Sequence, residues 1–153
     1  MSGENQSDFH YDADPENPGW RIWGPRGGGV FNAHYNPIRV QVEAPGRARV
    51  RCFAGEHLTS ATGYLHGGAT AGFIDIALFA GARGCGLERE DLAVTLDLTI
   101  QYLAPGLSGQ NLDAVVDLVR ETKRIAFVRG VVEQESGPIA SFMATIRKGA
   151  ARA

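Results

Sequence analysis

The residue in this sequence with the clearest potential for chemistry is Asp75, a single carboxylate inside the apolar stretch FIDIALFAGA. An unpaired buried charge costs several kcal/mol, so a carboxylate in such a place is normally paired or used. The residues three and four positions away are Ala71, Gly72, Leu78 and Phe79, none of which is basic. We therefore interpret Asp75 as a functional carboxylate. The alternative is an Asp held by a distant backbone amide or facing a water-filled interface.

A second candidate group is the pair Gly67 and Gly68, which precedes the apolar stretch and follows His66. The N-H groups of a first helical turn have no intrahelical partner and lie at the positive end of the helix dipole. Glycines there allow a carbonyl oxygen to approach closely, and such donors stabilise a developing oxyanion. An ordinary glycine-rich helix start, with His66 as a cap or a packed side chain, is the alternative.

The spacing of the two groups predicts a site shared between subunits. Seven residues separate Gly68 from Asp75, which corresponds to two turns and roughly 10 Å along a helix axis. One carbonyl cannot contact both groups of one helix. If two such helices lie antiparallel about a two-fold axis, the Asp75 of one approaches the glycine amides of the other, which gives two sites per dimer.

A long helix and about six antiparallel strands must position these groups. Apolar residues occur all around the helical period between Tyr64 and Gly84, which predicts a buried central helix, and the stretch is too short to span a membrane. Period-two alternation predicts a hairpin around Pro45-Gly46, starting near Val30. Further strands are predicted over residues 94–102, 112–120, 125–134 and 139–147. Uncovered sheet edges predict a second copy of the chain.

Composition excludes several classes of function. The chain of 153 residues has a net charge of −2 and scattered basic residues, which predicts one domain that does not bind nucleic acid. Cys52 and Cys85 lack metal-ligand spacing and are interpreted as small buried hydrophobes. We expect no metal and no redox cofactor.

The two ends of the chain differ from its middle. Residues 1–29 are polar and rich in Asp, Pro and Gly, and are predicted to form an extended arm. Residues 30–148 are predicted to form the domain, and residues 149–153 a C-terminal tail. The acidic N-terminus lacks the basic start and apolar core of a signal peptide, which predicts a cytoplasmic location. Trp20 and Trp23 are interpreted as fastening the arm to the core, or alternatively as the roof of a ligand groove.

The motif LHGGATAGFID, followed by the strand VTLDLTIQYLAPG, resembles the hotdog-fold acyl-CoA thioesterases of the phenylacetic-acid-degradation type. The resemblance covers roughly Asn36 to Lys148. It implies an α+β hotdog fold in which an antiparallel sheet of about five to six strands wraps around one long central helix. It also implies an acyl-CoA substrate and a homodimer or a dimer of dimers.

The resemblance further implies a role for individual residues. Asp75 would be the general base or the nucleophile, and Gly67, assisted by Gly68 and the helix dipole, would polarise the thioester carbonyl. His66 would shape the loop, and Thr95 would orient the water, although a Thr on the polar face of a strand explains it equally well.

Three predicted substrate-binding residues follow from the same resemblance. Ser60 occupies the position where some relatives have an Asn, six residues before the histidine. Lys123 and Arg124 resemble a basic turn that meets the phosphates of coenzyme A. A solvated turn with two charges is the alternative.

The leading hypothesis is therefore hydrolysis of an acyl-CoA to a free acid and coenzyme A. A non-catalytic acyl-CoA-binding or regulatory module is the alternative. Hydration or dehydration of an acyl thioester is disfavoured, because the sequence lacks the Asp/His pair of the hotdog hydratases.

Overall fold

The computed structural model describes residues 9–27 and 30–149. One helix and eight strands account for most of this part of the chain. The helix is α1 (Gly67–Gly84). The strands are β1 (Phe9–Ala13), β2 (Arg21–Pro25), β3 (Ile38–Ala44), β4 (Arg47–Ala54), β5 (Val94–Tyr102), β6 (Gln110–Glu121), β7 (Ile125–Gln134) and β8 (Gly137–Arg147).

The strands form one sheet in the order β1-β2-β3-β4-β6-β7-β8-β5, and every neighbouring pair is antiparallel. The sheet thus has more strands than the five to six expected from the sequence. Two of the additional strands, β1 and β2, lie within the segment predicted as an extended arm. The strand predicted to start near Val30 begins at Ile38 instead, because Phe31–His34 form a short 3-10 turn.

Helix α1 begins and ends with recognisable caps. Its N-cap residue, His66, has an extended backbone, and its Nδ1 accepts a hydrogen bond from the Gly68 N-H. At the other end, Gly86 has a φ of +98° and the Leu87 N-H donates to Ala82 O. This is the left-handed glycine cap that terminates many helices. The helix starts at Gly67, in agreement with the prediction that Gly67 and Gly68 lie at its first turn.

The concave face of the sheet packs around α1. Strands β3, β4 and β6 contribute a row of fully buried side chains that face the helix, among them Val40, Val50 and Val116. The helix lies so close to β6 that a Cβ on Gly81 would come within 2.6 Å of Val116. The prediction of a helix buried on all sides is only partly right. Gly72, Asp75 and Phe79 lie on a half-buried stripe that the described chain covers only in part.

The hairpin of β1 and β2 covers the C-terminal end of α1. Trp23 is 2% exposed, its ring stacks on Phe9, and its Nε1 donates to the buried Glu90 Oε1 at 3.1 Å. Arg83 of the helix lies 3.5 Å from the other oxygen of Glu90. Trp23 therefore fastens this segment to the core, whereas Trp20 lies over the guanidinium of Arg51. The domain boundary at residue 29 stays a prediction.

Strands β1 and β5 are the two edges of the sheet within residues 9–27 and 30–149, and β5 is the longer of them. Several large apolar side chains on and after this strand are exposed: Val94, Leu96, Tyr102 and Leu103. An unpaired apolar edge is a template for pairing with another chain. In the part of the chain that is described, no helix has the length and hydropathy needed to cross a bilayer.

Candidate functional site

The carboxylate of Asp75 is held by a strand residue. Asp75 lies on the half-buried stripe of α1, and the Thr95 Oγ1 donates a hydrogen bond of 2.7 Å to its Oδ1. No basic side chain of the described residues forms an ion pair with this carboxylate. Asp75 thus keeps one oxygen for another partner, on the side of the helix that the sheet leaves open.

A β-bulge turns Thr95 toward the helix. Thr95 pairs with Ile146 and Asp97 with Thr145, so Leu96 is an additional residue in β5. Simple alternation places Thr95 on the face opposite to Leu98, but both side chains are half-buried on the inner side, whereas Leu96 is 54% exposed. Bulges re-aim side chains in this way and are frequent beside active sites. The sequence identified Thr95, but the bulge gives it access to Asp75.

The residues His66, Gly67 and Gly68 form a turn at the start of α1, called the glycine turn below, in which one backbone N-H group of the described residues is free. The Gly68 N-H donates to His66 Nδ1 at 2.8 Å, and the His66 carbonyl accepts from the N-H groups of Ala69 and Thr70. Within the described residues, the Gly67 N-H has no acceptor. Because hydrogen bonds polarise one another, the two bonds to the His66 carbonyl strengthen the donor at the other end of the same peptide group, which is Gly67 N-H.

A small cavity of about 370 Å³ opens beside this turn and is lined by Gly67, Thr70 and Tyr102, among others. The Tyr102 hydroxyl donates to the Gly67 carbonyl at 2.6 Å. Sequence reasoning missed this contact. The period-two pattern of β5 was the available signal, since it places Tyr102 on the inner face with Ile100.

The two candidate groups of one chain are far apart. Eight residues separate Gly67 from Asp75, about 12 Å along the helix axis. They also contact opposite ends of β5: Asp75 contacts Thr95 near its start, and Gly67 contacts Tyr102 at its end. The described chain therefore does not bring the carboxylate and the free amide into one site.

Ser60 lies in a tight turn before His66. Its Oγ is 2.7 Å from Thr62 Oγ1, and its N-H donates to Tyr64 O. The His66 N-H donates to Leu58 O, and this hydrogen bond joins the segment around Ser60 to the glycine turn. Ser60 is half-buried, and its hydroxyl is engaged within its own turn.

Lys123 and Arg124 line a groove of about 850 Å³ together with three further basic residues, Arg89, Arg147 and Lys148. Two acidic residues, Glu88 and Glu121, also line this groove, and Lys148 forms an ion pair with Glu121. The groove is thus lined by more basic residues than the two that were identified from the sequence. Sequence reasoning missed the adjacent pair Arg147-Lys148, because its position depends on how β8 folds back along β7.

This basic groove lies near the end of β5 that contacts Asp75. Arg147 on β8 pairs with Val94, and Val94 precedes Thr95 on β5. The Lys148 N-H also donates to Arg124 O, which joins the turn between β6 and β7 to the end of β8. Asp75, Thr95 and the basic groove therefore occupy the same end of β5.

Two aromatic side chains lie one helical turn before Asp75. The Tyr35 hydroxyl donates to Ala69 O at 2.8 Å, and burial raises the pKa of Tyr35 to about 12, so it stays a donor at any physiological pH. Phe31 is 58% exposed and packs edge-on against Tyr35. Both rings approach Gly72, where a Cβ would lie 2.5 Å from the Tyr35 oxygen. Sequence reasoning missed this pair, because its contact with α1 is long-range.

The sequence profile of the thioesterase superfamily matches residues 62–141 of this chain. The chain is also similar to human acyl-coenzyme A thioesterase 13, with 31% identity over 101 residues that span 63% of this chain and 68% of the human protein.

Two solved structures are similar in fold. A mutant of the phenylacetic acid degradation protein PaaI from Thermus thermophilus has a TM-score of 0.64 and 25% identity, over 77% of this chain and 97% of that chain. A hypothetical thioesterase protein with coenzyme A from Streptococcus pneumoniae has a TM-score of 0.67 and 17% identity, over 79% and 92% of the two chains. These similarities confirm the predicted hotdog fold.

Proposed function

This chain belongs to the thioesterase superfamily and is a thioester hydrolase, and we propose that its substrate is an acyl-CoA. Hydrolysis of this substrate gives a free acid and coenzyme A. The observation that carries the assignment of the site is the Thr95–Asp75 hydrogen bond. It joins the one carboxylate of the half-buried helix stripe to a hydroxyl that points at it from β5.

In the general-base route, Asp75 accepts a proton from water as the water oxygen attacks the thioester carbon. The Gly67 N-H stabilises the tetrahedral oxyanion. The C–S bond then breaks, and Asp75 returns its proton to the departing sulfur, which releases the coenzyme A thiol and the acid. In the nucleophilic route, the carboxylate attacks the carbon itself, and the C–S bond breaks to release coenzyme A as its thiolate. Water then hydrolyses the resulting anhydride to the free acid and restores the Asp75 carboxylate, while the thiolate takes up a proton. Thr95 holds the carboxylate in both routes, and it also positions the water in the first.

The contacts of β5 support a site shared between two subunits. Antiparallel pairing of two β5 strands about a two-fold axis would set the Tyr102 end of one strand beside the Thr95 end of the other. Since Tyr102 contacts Gly67 and Thr95 contacts Asp75 within each chain, the free amide of one subunit would then meet the carboxylate of its partner. The exposed apolar edge of β5 supports this pairing.

The basic groove is proposed to bind the phosphates of coenzyme A. Arg and Lys side chains are the usual ligands of phosphate groups, and Lys123 and Arg124 are exposed at its rim. Because the groove lies at the Asp75 end of β5, the pantetheine arm would extend from the groove to the thioester beside Asp75. Acyl-pantetheines, which lack the nucleotide, should therefore show a higher KM than the matching acyl-CoAs in steady-state assays. Equal KM values would contradict this role of the groove.

Replacing Asp75 by Asn tests the catalytic assignment. The amide oxygen of Asn still accepts the Thr95 hydrogen bond, so the change removes the charge with little change in shape. We expect the kcat for thiol release from a panel of short, long and aryl acyl-CoAs to fall about a hundredfold or more.

Asp97→Asn is the matched control, because Asp97 is exposed on the same strand as Thr95. It should keep the wild-type kcat within about twofold. Equal rates for Asp75→Asn and wild type would show that the catalytic assignment is wrong. A wild-type protein that binds acyl-CoA but releases no thiol would instead favour the non-catalytic binding module.

A further inference from the structure

We propose that Tyr102 is a positioning residue, which fixes the orientation of the Gly67 amide through its hydrogen bond to the Gly67 carbonyl. This inference rests on the proposed function of Gly67 as the oxyanion donor. It concerns the segment Tyr102–Gly106, with the sequence YLAPG, to which the proposed mechanism assigns no role.

Two contacts tie this segment to the glycine turn. The Tyr102 hydroxyl donates to the Gly67 carbonyl at 2.6 Å, and the Leu65 N-H donates to Gly106 O at 2.9 Å. The contacts lie on either side of His66, so they hold the turn from both ends. Side-chain packing adds to this, since a Cβ on Gly106 would lie 2.7 Å from the Leu65 side chain.

The segment is itself anchored in the sheet. The N-H groups of Leu103 and Ala104 both donate to Ile139 O, and Ile139 is 2% exposed in the core. The Tyr102 ring also lies over Gly67, where a Cβ would be 3.5 Å from the hydroxyl oxygen. The glycine turn, which is exposed and has little packing of its own, therefore takes its orientation from β5.

The same strand orients the carboxylate. Thr95 near the start of β5 holds Asp75, and Tyr102 at its end holds Gly67. In the proposed dimer, β5 would thus carry the positioning hydroxyl for the carboxylate of one site and for the amide of the other.

Tyr102→Phe removes the hydroxyl and keeps the ring. We expect kcat on acyl-CoA to fall about tenfold, because the Gly67 amide is no longer held in the orientation that stabilises the oxyanion. KM should stay within about twofold and Tm nearly unchanged. Tyr64→Phe is the control: Tyr64 is 47% exposed, and its hydroxyl makes no hydrogen bond among the described residues. It should match wild type in all three quantities.

A readout that does not depend on activity separates this inference from the proposed function. In Tyr102→Phe, the amide proton of Gly68 should exchange faster with solvent than in wild type, because the turn is held at one end only. An unchanged kcat with an active wild type would overturn the positioning role, and so would an unchanged Gly68 exchange rate. A wild type without any hydrolysis would overturn the proposed function, while faster Gly68 exchange would still support the role of Tyr102 in holding the turn.

Discussion

At the scale of single residues, the proposed site depends on two polar groups that the fold leaves unpaired. One oxygen of the half-buried Asp75 accepts a hydrogen bond from Thr95, and the other has no hydrogen-bond donor among the described residues. The Gly67 N-H has no acceptor in the described chain, whereas the Gly68 N-H is bound by His66. Gly67, rather than Gly68, is therefore the donor that a thioester oxygen would meet.

Gly67→Pro is the sharpest test of that donor. Gly67 is the first residue of α1, where proline is well tolerated, and His66 has the extended backbone that a following proline requires. The change removes the N-H and leaves the helix intact, so we expect kcat to fall about a hundredfold with a small change in Tm. Steady-state thiol release and thermal unfolding measure the two effects.

The control for this variant is Gly67→Ala, which retains the N-H. A Cβ at this position would make only ordinary van der Waals contact with Tyr102, at 3.5 Å. This variant should keep most of its activity. Equal activity of the two variants would contradict the oxyanion role.

At the scale of elements, the N-terminal hairpin extends the sheet beyond the part that the sequence predicted. Asp14 closes its turn: the carboxylate accepts hydrogen bonds from Arg39 of β3, the Glu16 N-H and Asn17. These contacts lower the pKa of Asp14 to about 2, and the hydrogen bond from Arg39 has the largest effect. The hairpin is thus joined to the sheet by an ion pair as well as by its strand ladder.

Asp14→Asn should lower the stability of the protein in a pH-dependent way. The folded pKa is about 2, below the ordinary value of 3.8, so the ionised form stabilises the folded state above the unfolded pKa. That contribution is lost as the pH falls toward 2. The difference in Tm between wild type and variant should therefore be constant near neutral pH and shrink in acid.

Glu16→Gln serves as the control for that series, since its side chain is exposed in the same turn. It should follow wild type at every pH. A difference for Asp14→Asn that stays constant down to about pH 2 would contradict the ion-pair explanation.

At the scale of the whole molecule, the proposed site takes its carboxylate and its amide from two subunits, because Asp75 and Gly67 of one chain are far apart along α1. Co-expression of Asp75→Asn with Gly67→Pro tests this arrangement. In a mixed dimer, one site combines both substitutions and the other is intact. With random pairing, half of the dimers are mixed, so about a quarter of the wild-type activity should return.

Each variant expressed alone is the control for the mixture, and the mass of the native assembly identifies the dimer. If Asp75 and Gly67 of one chain served the same site, every site in a mixed dimer would carry one substitution. The mixture would then be no more active than the single variants.

The local features of this protein follow from its sequence. The apolar run around Asp75 determines the central helix, because a helix that is apolar on most sides must be covered. Alternation in β5 and β7 gives their bounds correctly, since period two places one face in the core. The motif around His66 and Asp75 also identifies the residues on which the proposed site is built.

The contacts between distant segments were decided only by the tertiary structure. The bulge at Leu96 turns Thr95 toward Asp75, and the pairing of β8 with β5 brings Arg147 to the carboxylate end of the site. The strands β1 and β2 also depend on their pairing with each other, on the pairing of β2 with β3 and on the burial of Trp23. Sequence patterns report the period of one segment, whereas these features depend on the register between segments that the chain joins only when folded.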